Sequence, residues 1–145
     1  MDVSDLRKRI VRALDDARKD AAARRADLDR ASGEYERFLE ETAIPLFRQG
    51  ATVLRAEGHP FTANTPAGSV RLVSDHSAQD FLELELDASG PEPHVIGRTS
   101  ARGRRGLVVE ERPFAEGKRI ADLTEEDVSA FLISEVRKLV SRHNK

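Results

Sequence analysis

The chain has 145 residues, of which 34% are charged and none is cysteine, and its formal net charge is −2. A chain of this length buries enough surface to fold without a metal. The lack of cysteine excludes a disulfide scaffold, a thiolate zinc site and a cysteine nucleophile. The balance of acids and bases gives no overall attraction to nucleic acid or anionic lipid. No apolar run reaches the about 20 residues that span a membrane, so we expect a cytoplasmic protein without membrane contact.

Residues 1–43 predict one long helix. They are rich in alanine, leucine, arginine and lysine, which are good helix formers. One stripe of positions recurs at intervals of four and three residues, a mean period of 3.5 that keeps it facing a partner helix, as in a coiled coil. We call this stripe the seam: Ile10, Leu14, Ala17, Ala21, Arg24, Leu28, Ala31, Tyr35, Phe38 and Thr42. Gly33 is unfavourable inside a helix, so a straight helix and a helix with a kink at residues 32–33 are both open, and Pro45 is expected to end the helix.

The length of this helix predicts an association element. At about 1.5 Å per residue it would run roughly 60 Å, whereas the remaining part of the chain would form a body of about 13 Å radius of gyration. We expect its last third to pack on the body and its first two thirds to contact another chain. The residues predicted at that interface are Leu6, Ile10, Leu14, Ala17, Ala21 and Leu28.

Residues 44–145 predict an α+β body. Strands are expected over residues 51–56, 69–73, 81–87, 94–100 and 106–112, with a long loop over residues 57–68. Because no helix lies between them, these short strands favour a meander of four or five antiparallel strands. Thr124 and Asp127 form a capping box that begins a C-terminal helix, whose apolar stripe we expect to cover one face of the sheet.

Four arginines, Arg98, Arg102, Arg104 and Arg105, cluster in the last predicted hairpin. Two interpretations remain open. In the first, the arginines pair across strands with the acids of residues 75–92; in the second, they bind an anion such as a nucleic-acid backbone. The second is weakened because the hairpin lacks the aromatic residues on which bases stack.

An enzymatic interpretation rests on Asp75, His76 and Asp80, which lie close together in the sequence. An Asp/His pair in a turn more often stabilises the loop, and no established catalytic or phosphate-binding motif is present. We therefore expect no enzyme, no metal and no cofactor.

The sequence favours a non-enzymatic interaction and oligomerisation module, such as a subunit or adaptor of a larger system, that associates through the N-terminal helix. A homodimer is the leading form, since two-fold pairing is the commonest closed assembly. A larger protein partner is the other form, and the orientation of the paired helices is left open.

Overall fold

The computed structural model describes the backbone of residues 1–143 and the side chains of residues 1–141. The fold class is α+β, as predicted, with a long N-terminal helix, five strands and a C-terminal helix. The elements are α1 (Val3–Phe38), a π-helical turn (Leu39–Ala43), α2 (Ile44–Ala56), β1 (Phe61–Asn64), β2 (Ser69–Ser74), β3 (Ser77–Asp87), β4 (His94–Gly103), β5 (Gly106–Pro113), a 3₁₀ turn (Ile120–Asp122) and α3 (Glu125–His143).

The sheet is an antiparallel meander in the order β1-β2-β3-β4-β5, so the predicted topology is confirmed. Alternation along β3 sends Leu82 and Leu84 to an inner face, where α2 and α3 cover them. Gly97 of β4 lies on the same face and makes room for the Phe131 ring of α3. The outer face, which carries Glu83, is not covered by a helix in the described part of the chain.

The predicted end of the first helix is wrong. The chain stays helical through Pro45, because the π-helical turn joins α1 to α2 and places the proline in the first turn of α2. Amides of a first turn need no intrahelical partner, so a proline is tolerated there. Of the two alternatives that the sequence left open at residues 32–33, the structure has the unbroken helix, since Gly33 lies inside the continuous α1.

The first predicted strand is wrong as well. Residues 51–56 form the second half of α2, with Ala51 and Leu54 turned toward the body and Val53 exposed. The first strand is instead β1, inside the stretch predicted as a loop. Its Phe61 is buried in the core, because it packs beneath α2 on the inner face of the sheet.

The capping box and the apolar stripe of α3 are confirmed. Thr124 N–H donates to Asp127 Oδ2 at 2.9 Å, and Asp127 N–H donates to Thr124 Oγ1 at 3.3 Å. Val128, Phe131 and Leu139 are buried against the sheet. This helix is therefore fixed at its start by the cap and along its length by apolar contact.

Candidate interaction surface

The N-terminal part of α1 is a helical arm without a partner in the described structure. Every residue from 1 to 30 is exposed except the half-buried Ala21. We call residues 3–30 the arm; at about 1.5 Å per residue it is about 42 Å long. Asp2 caps its first turn by accepting the N–H of Ser4 at 3.3 Å. Ion pairs between Asp15 and Arg18 add local support to the helix.

The arm exposes large apolar side chains at the spacing of the seam. Ile10 and Leu14 are each 50% exposed, and Val3, Leu6 and Leu28 are also exposed. In a straight helix these positions lie within one side of the cylinder, together with Ala17 and Ala21. The structure thus leaves five of the six residues that the sequence predicts at the interface exposed, and the sixth, Ala21, half-buried.

The other end of the same stripe is buried in the chain's own body. Tyr35 and Phe38 are buried, as the sequence predicted for residues 34–43, and Ala31, which lies in the part expected to be free, is buried with them. The Phe38 ring lies 5.9 Å from the Phe114 ring, which in turn meets Phe131 of α3 at 5.5 Å. These rings join α1 to the segment after β5 and to α3.

Tyr35 ties α1 to the sheet with a polar contact as well. Its hydroxyl donates to the carbonyl of Gly68 at 2.7 Å and lies 3.4 Å from the carbonyl of Leu84. Burial raises the pKa of Tyr35 well above its usual value, and the charges of Glu85 and Glu83 raise it further. The phenol is therefore a neutral donor that fixes the direction in which the arm leaves the body.

A cavity of about 680 Å³ lies at the root of the arm. Its walls come from the last turns of the exposed arm and from the segments before β4 and after β5. Apolar lining residues include Ala31, Pro93, Val95, Pro113, Ile120 and Leu123. Charged groups of both signs, such as Arg30, Glu34 and Lys118, stand around it, so the cavity is not selective for an anion or a cation.

In the Arg-rich hairpin of residues 98–105, one arginine is paired with carboxylates and the other three are exposed. Arg98 contacts Glu83, Glu85 at 2.9 Å and Glu111 at 2.7 Å. These carboxylates raise the pKa of Arg98 despite its partial burial. The cross-strand pairing of arginines with acids, predicted as one interpretation of the sequence, is therefore present for Arg98.

Sequence reasoning did not predict how far this pairing extends. Register places Arg71, Glu83, Arg98 and Glu111 side by side across four strands of the outer face. Glu83 is only 2% exposed, and Arg71 binds it at 3.0 Å. Period-two alternation in each strand could have indicated the row, but only the strand register shows which charges meet.

The other three arginines lie at the tip of the β4–β5 hairpin and are exposed. The N–H of Arg102 donates to Asp80 Oδ1 at 2.8 Å, which fixes the strand and leaves the side chain free to point into solvent. No carboxylate of the described residues lies within ion-pair distance of Arg104 or Arg105. Whether this tip binds an anion stays a prediction.

The residues of the enzymatic interpretation face different neighbours. Asp75 accepts from Thr62 at 2.6 Å and from Arg55 at 2.8 Å, and these two bonds lower its pKa. Asp80 is buried and turned toward β4, where it accepts the N–H of Arg102. His76 is exposed in the turn between β2 and β3. Each carboxylate therefore has a structural partner, and the enzymatic interpretation stays untested.

The buried carboxylate of Glu135 was not identified from the sequence. Glu135 lies on the apolar stripe of α3, seven residues after Val128, and is only 2% exposed. Arg112 of β5 binds it at 3.0 Å, and Lys138 lies 3.1 Å away. The spacing was a signal that this glutamate faces the sheet, but the partner on β5 is visible only in the folded chain.

Neither a metal centre nor a membrane span is found in the described residues. Among the side chains of residues 1–141, no three His, Asp or Glu groups are arranged to hold a metal ion. The described helices include none that is long and apolar enough to cross a membrane. Comparisons with family models, with curated proteins and with solved structures found no match.

Proposed function

We propose that this protein is a non-enzymatic interaction module, a subunit or adaptor of a larger cytoplasmic system, that forms a homodimer through the arm of α1. The proposal rests on one observation: a single apolar stripe of α1 is partly buried in the body and partly exposed to solvent. Its C-terminal end is buried in the body, and its N-terminal end, with Ile10 and Leu14, is exposed over about 42 Å. A second copy would cover the exposed part.

Burial of the seam supplies the driving force for this association. Moving a large aliphatic side chain from solvent to a packed interface is worth about 1.5–3 kcal/mol, and a half-exposed one contributes a part of that. The arm presents several such side chains on one face, while charged residues occupy the opposite face. That pattern is typical of a helix that packs against another helix rather than one that is solvated all round.

The order of side chains along the seam favours antiparallel pairing. In a parallel pair each layer repeats the same residue, so Ala17 meets Ala17 and Arg24 meets Arg24. In an antiparallel pair Ile10 can face Ala21 and Leu14 can face Ala17, which alternates large with small side chains across each layer. In this antiparallel pair two layers place Arg24 beside Arg7, so repulsion between arginines occurs in both orientations and favours neither. The matching volumes of the facing side chains favour the antiparallel orientation.

The test compares two double variants of the full chain by light scattering over a concentration series. Ile10→Asp/Leu14→Asp introduces two charges into the seam and should abolish pairing through the arm, so its mass should fall below that of the natural chain, to the 16.1 kDa monomer where no second contact joins two copies. Ala23→Asp/Ala26→Asp introduces the same charges on the opposite face of the arm and should keep the mass of the natural chain. Equal masses for these two variants would refute the seam as the interface.

Cross-linking distinguishes the orientations, because the natural chain has no cysteine to interfere. In the antiparallel pair, Ile10→Cys should link to Ala21→Cys in a mixture, whereas Ile10→Cys alone should not link to itself. Its two copies would be about 16 Å apart along the helix axis. Self-linking of Ile10→Cys would show that the pair is parallel.

The exposed arginines of the hairpin support a second candidate, an accessory protein that binds an anion or nucleic acid. Arg102, Arg104 and Arg105 project from one turn, and Arg98 is held by carboxylates. Three arginines give weak binding that falls steeply with salt. Filter binding at low and physiological salt, with all three changed to alanine, tests it; equal retention by variant and natural chain contradicts it.

A further inference from the structure

The strand β5 is an open edge of the sheet with an unusual surface. It pairs with β4 on one side, and no other strand of the described chain lies on its far side. All eight of its residues are exposed, and three consecutive aliphatic side chains are among them: Leu107 at 52%, Val108 at 42% and Val109 at 50%. A run of three exposed apolar residues on a long edge strand is typical of a surface that pairs with another strand.

The opposite edge of the same sheet has no such surface. β1 has only four residues and lies beside α2. Arg55 of α2 donates to the carbonyl of Phe61 at 3.2 Å and lies 3.4 Å from the Thr62 hydroxyl. A short strand covered by a helix and a basic side chain is a common way to prevent edge pairing.

The hairpin geometry defines which backbone groups of β5 are free. Gly103 and Gly106 pair across a two-residue turn. The backbone N–H and C=O groups of Gly106 therefore point toward β4, and so do those of every second residue after it. Phe114 continues this alternation, since its N–H donates to the carbonyl of Val95 at 2.9 Å. The N–H and C=O groups of Leu107, Val109 and Glu111 therefore point to the open edge.

We infer that β5 pairs antiparallel with β5 of a second copy about a two-fold axis at Val108, which joins the two sheets edge to edge. In this register Leu107 lies directly opposite Val109 of the second copy, and the two residues exchange their free N–H and C=O groups. The Val108 side chains of the two copies meet on the inner face. α3 reaches β5 through the ion pairs of Arg112 with Glu135 and of Glu110 with Lys138, while the exposed side chains of residues 107–109 leave this edge accessible.

Self-complementarity is the reason for choosing a second copy as the occupant. The register that matches aliphatic with aliphatic residues also brings Arg105 opposite Glu111, which keeps 53% of its side chain exposed beside Arg98. A two-fold axis at Val109 would instead put Val108 opposite Glu110 of the second copy. An axis at Glu110 would put that residue opposite its own copy, and like charges directly opposite are destabilising.

This contact is independent of pairing through the arm. Both are contacts of a surface with its own copy, but they use different parts of the chain. A protein with two such contacts forms a larger closed assembly when the axes are compatible and an open chain of molecules when they are not. Edge pairing would therefore set the size of the assembly, and arm pairing alone would give a dimer.

Single-cysteine cross-linking tests the edge in the full chain, which is naturally free of cysteine. Val108→Cys should form a covalent dimer on mild oxidation, because opposed non-hydrogen-bonded residues have Cα atoms about 4.5 Å apart, within disulfide range. Val53→Cys on α2, which is also exposed, is the control and should remain uncross-linked. The dimer of Val108→Cys should persist when Ile10→Asp/Leu14→Asp disables the arm.

A proline substitution provides the second measurement. Val109→Pro removes an N–H that points to the open edge, so β5 keeps its bonds to β4 while edge pairing is lost. Val109→Thr keeps the N–H and the β-branched shape and should behave as the natural chain. With the arm disabled, the proline variant should have the monomer mass and the threonine variant twice that mass.

Three outcomes would overturn the inference. Val108→Cys could cross-link no more than Val53→Cys, or the proline and threonine variants could have equal mass. Val108→Cys could also link only to a different protein, which would assign the edge to a foreign strand. Failure at the edge would leave the arm proposal intact, because light scattering of the arm variants reports on a different surface.

Discussion

The two ends of α1 have the same helical conformation and share one apolar stripe, yet they lie in different environments. Ala31, Tyr35 and Phe38 are buried, while Ile10 and Leu14 stand in solvent. The difference arises from what lies beside each end, because the anchored end packs on the ring of Phe114 while nearly every residue of the arm is exposed. One periodic pattern therefore spans a buried part and an exposed part, and the pattern alone does not show which part the chain covers.

The two edges of the sheet repeat this comparison. β1 is short and covered by α2, whereas β5 is long, apolar and open. The apolar surface is thus covered on the side of α2 and exposed along the arm and β5. The expected consequence is that substitutions in the core change the free energy of unfolding, while substitutions on the arm change association.

The largest effect is expected at the centre of the body. Phe47 is fully buried, so Phe47→Ala should lower the free energy of unfolding by about 3–5 kcal/mol. Ile10→Ala on the arm should change it by less than about 0.5 kcal/mol at protein concentrations where the chain is monomeric. Urea unfolding followed by circular dichroism measures both. Similar losses for the two variants would contradict the separation of arm and body.

A smaller loss is expected where α3 approaches the sheet. A Cβ at Gly97 would overlap the ring of Phe131, so Gly97→Ala should cost about 1–3 kcal/mol through displacement of α3. Gly90 lies in an exposed turn with no atom near its would-be Cβ, and Gly90→Ala is the matched control. Thermal unfolding of both variants checks the prediction; an unchanged Gly97→Ala protein would mean that α3 is not packed this closely.

The cap of α3 should contribute about 1 kcal/mol, in a pH-dependent way. Partial burial raises the pKa of Asp127, but hydrogen bonds from Lys118 and Thr124 outweigh it, and the pKa is lowered overall. A lowered pKa means that the carboxylate stabilises the fold above its ordinary value of 3.8 and loses this effect as the pH falls below it. Asp127→Asn should therefore be less stable than the natural chain by about 1 kcal/mol at pH 7.

The stability difference between Asp127→Asn and the natural chain should shrink at acid pH. Urea unfolding at pH 7 and near pH 3 measures it, with Glu126→Gln, an exposed change in the same turn, as the control. A difference that stays constant between the two pH values would show that the charge of the cap carries no stability.

The smallest effect is expected at Gly33, where the arm meets the anchored end. Gly33 is exposed inside a continuous helix and has open space around it, so Gly33→Ala should raise stability by about 0.5–1 kcal/mol. Thermal unfolding followed at a helical signal measures the change. A loss of stability would indicate that the helix bends at this residue, as the sequence alone allowed.

The sequence by itself determined those features that depend on local pattern. The 3.5-residue seam specified α1, period-two alternation specified most of β2 to β5, and Thr124 with Asp127 specified the start of α3. Each signal lies within a few consecutive residues, so its physical cause does not need the folded chain. The same reasoning predicts the six arm residues at an interface, and that assignment stays a prediction.

Tertiary structure decided the features in which local signals compete or distant residues meet. Residues 51–56 include residue types that favour helices and types that favour strands. They are helical in the folded chain, where α2 packs over β1. Pro45 was tolerated because a π-helical turn placed it in a first turn. The row from Arg71 to Glu111, the bond from Arg112 to Glu135 and the open edge of β5 depend on which strands become neighbours. Burial and strand register depend on the whole folded chain. A local pattern can therefore indicate that a residue faces other residues, but it cannot identify which residues those are.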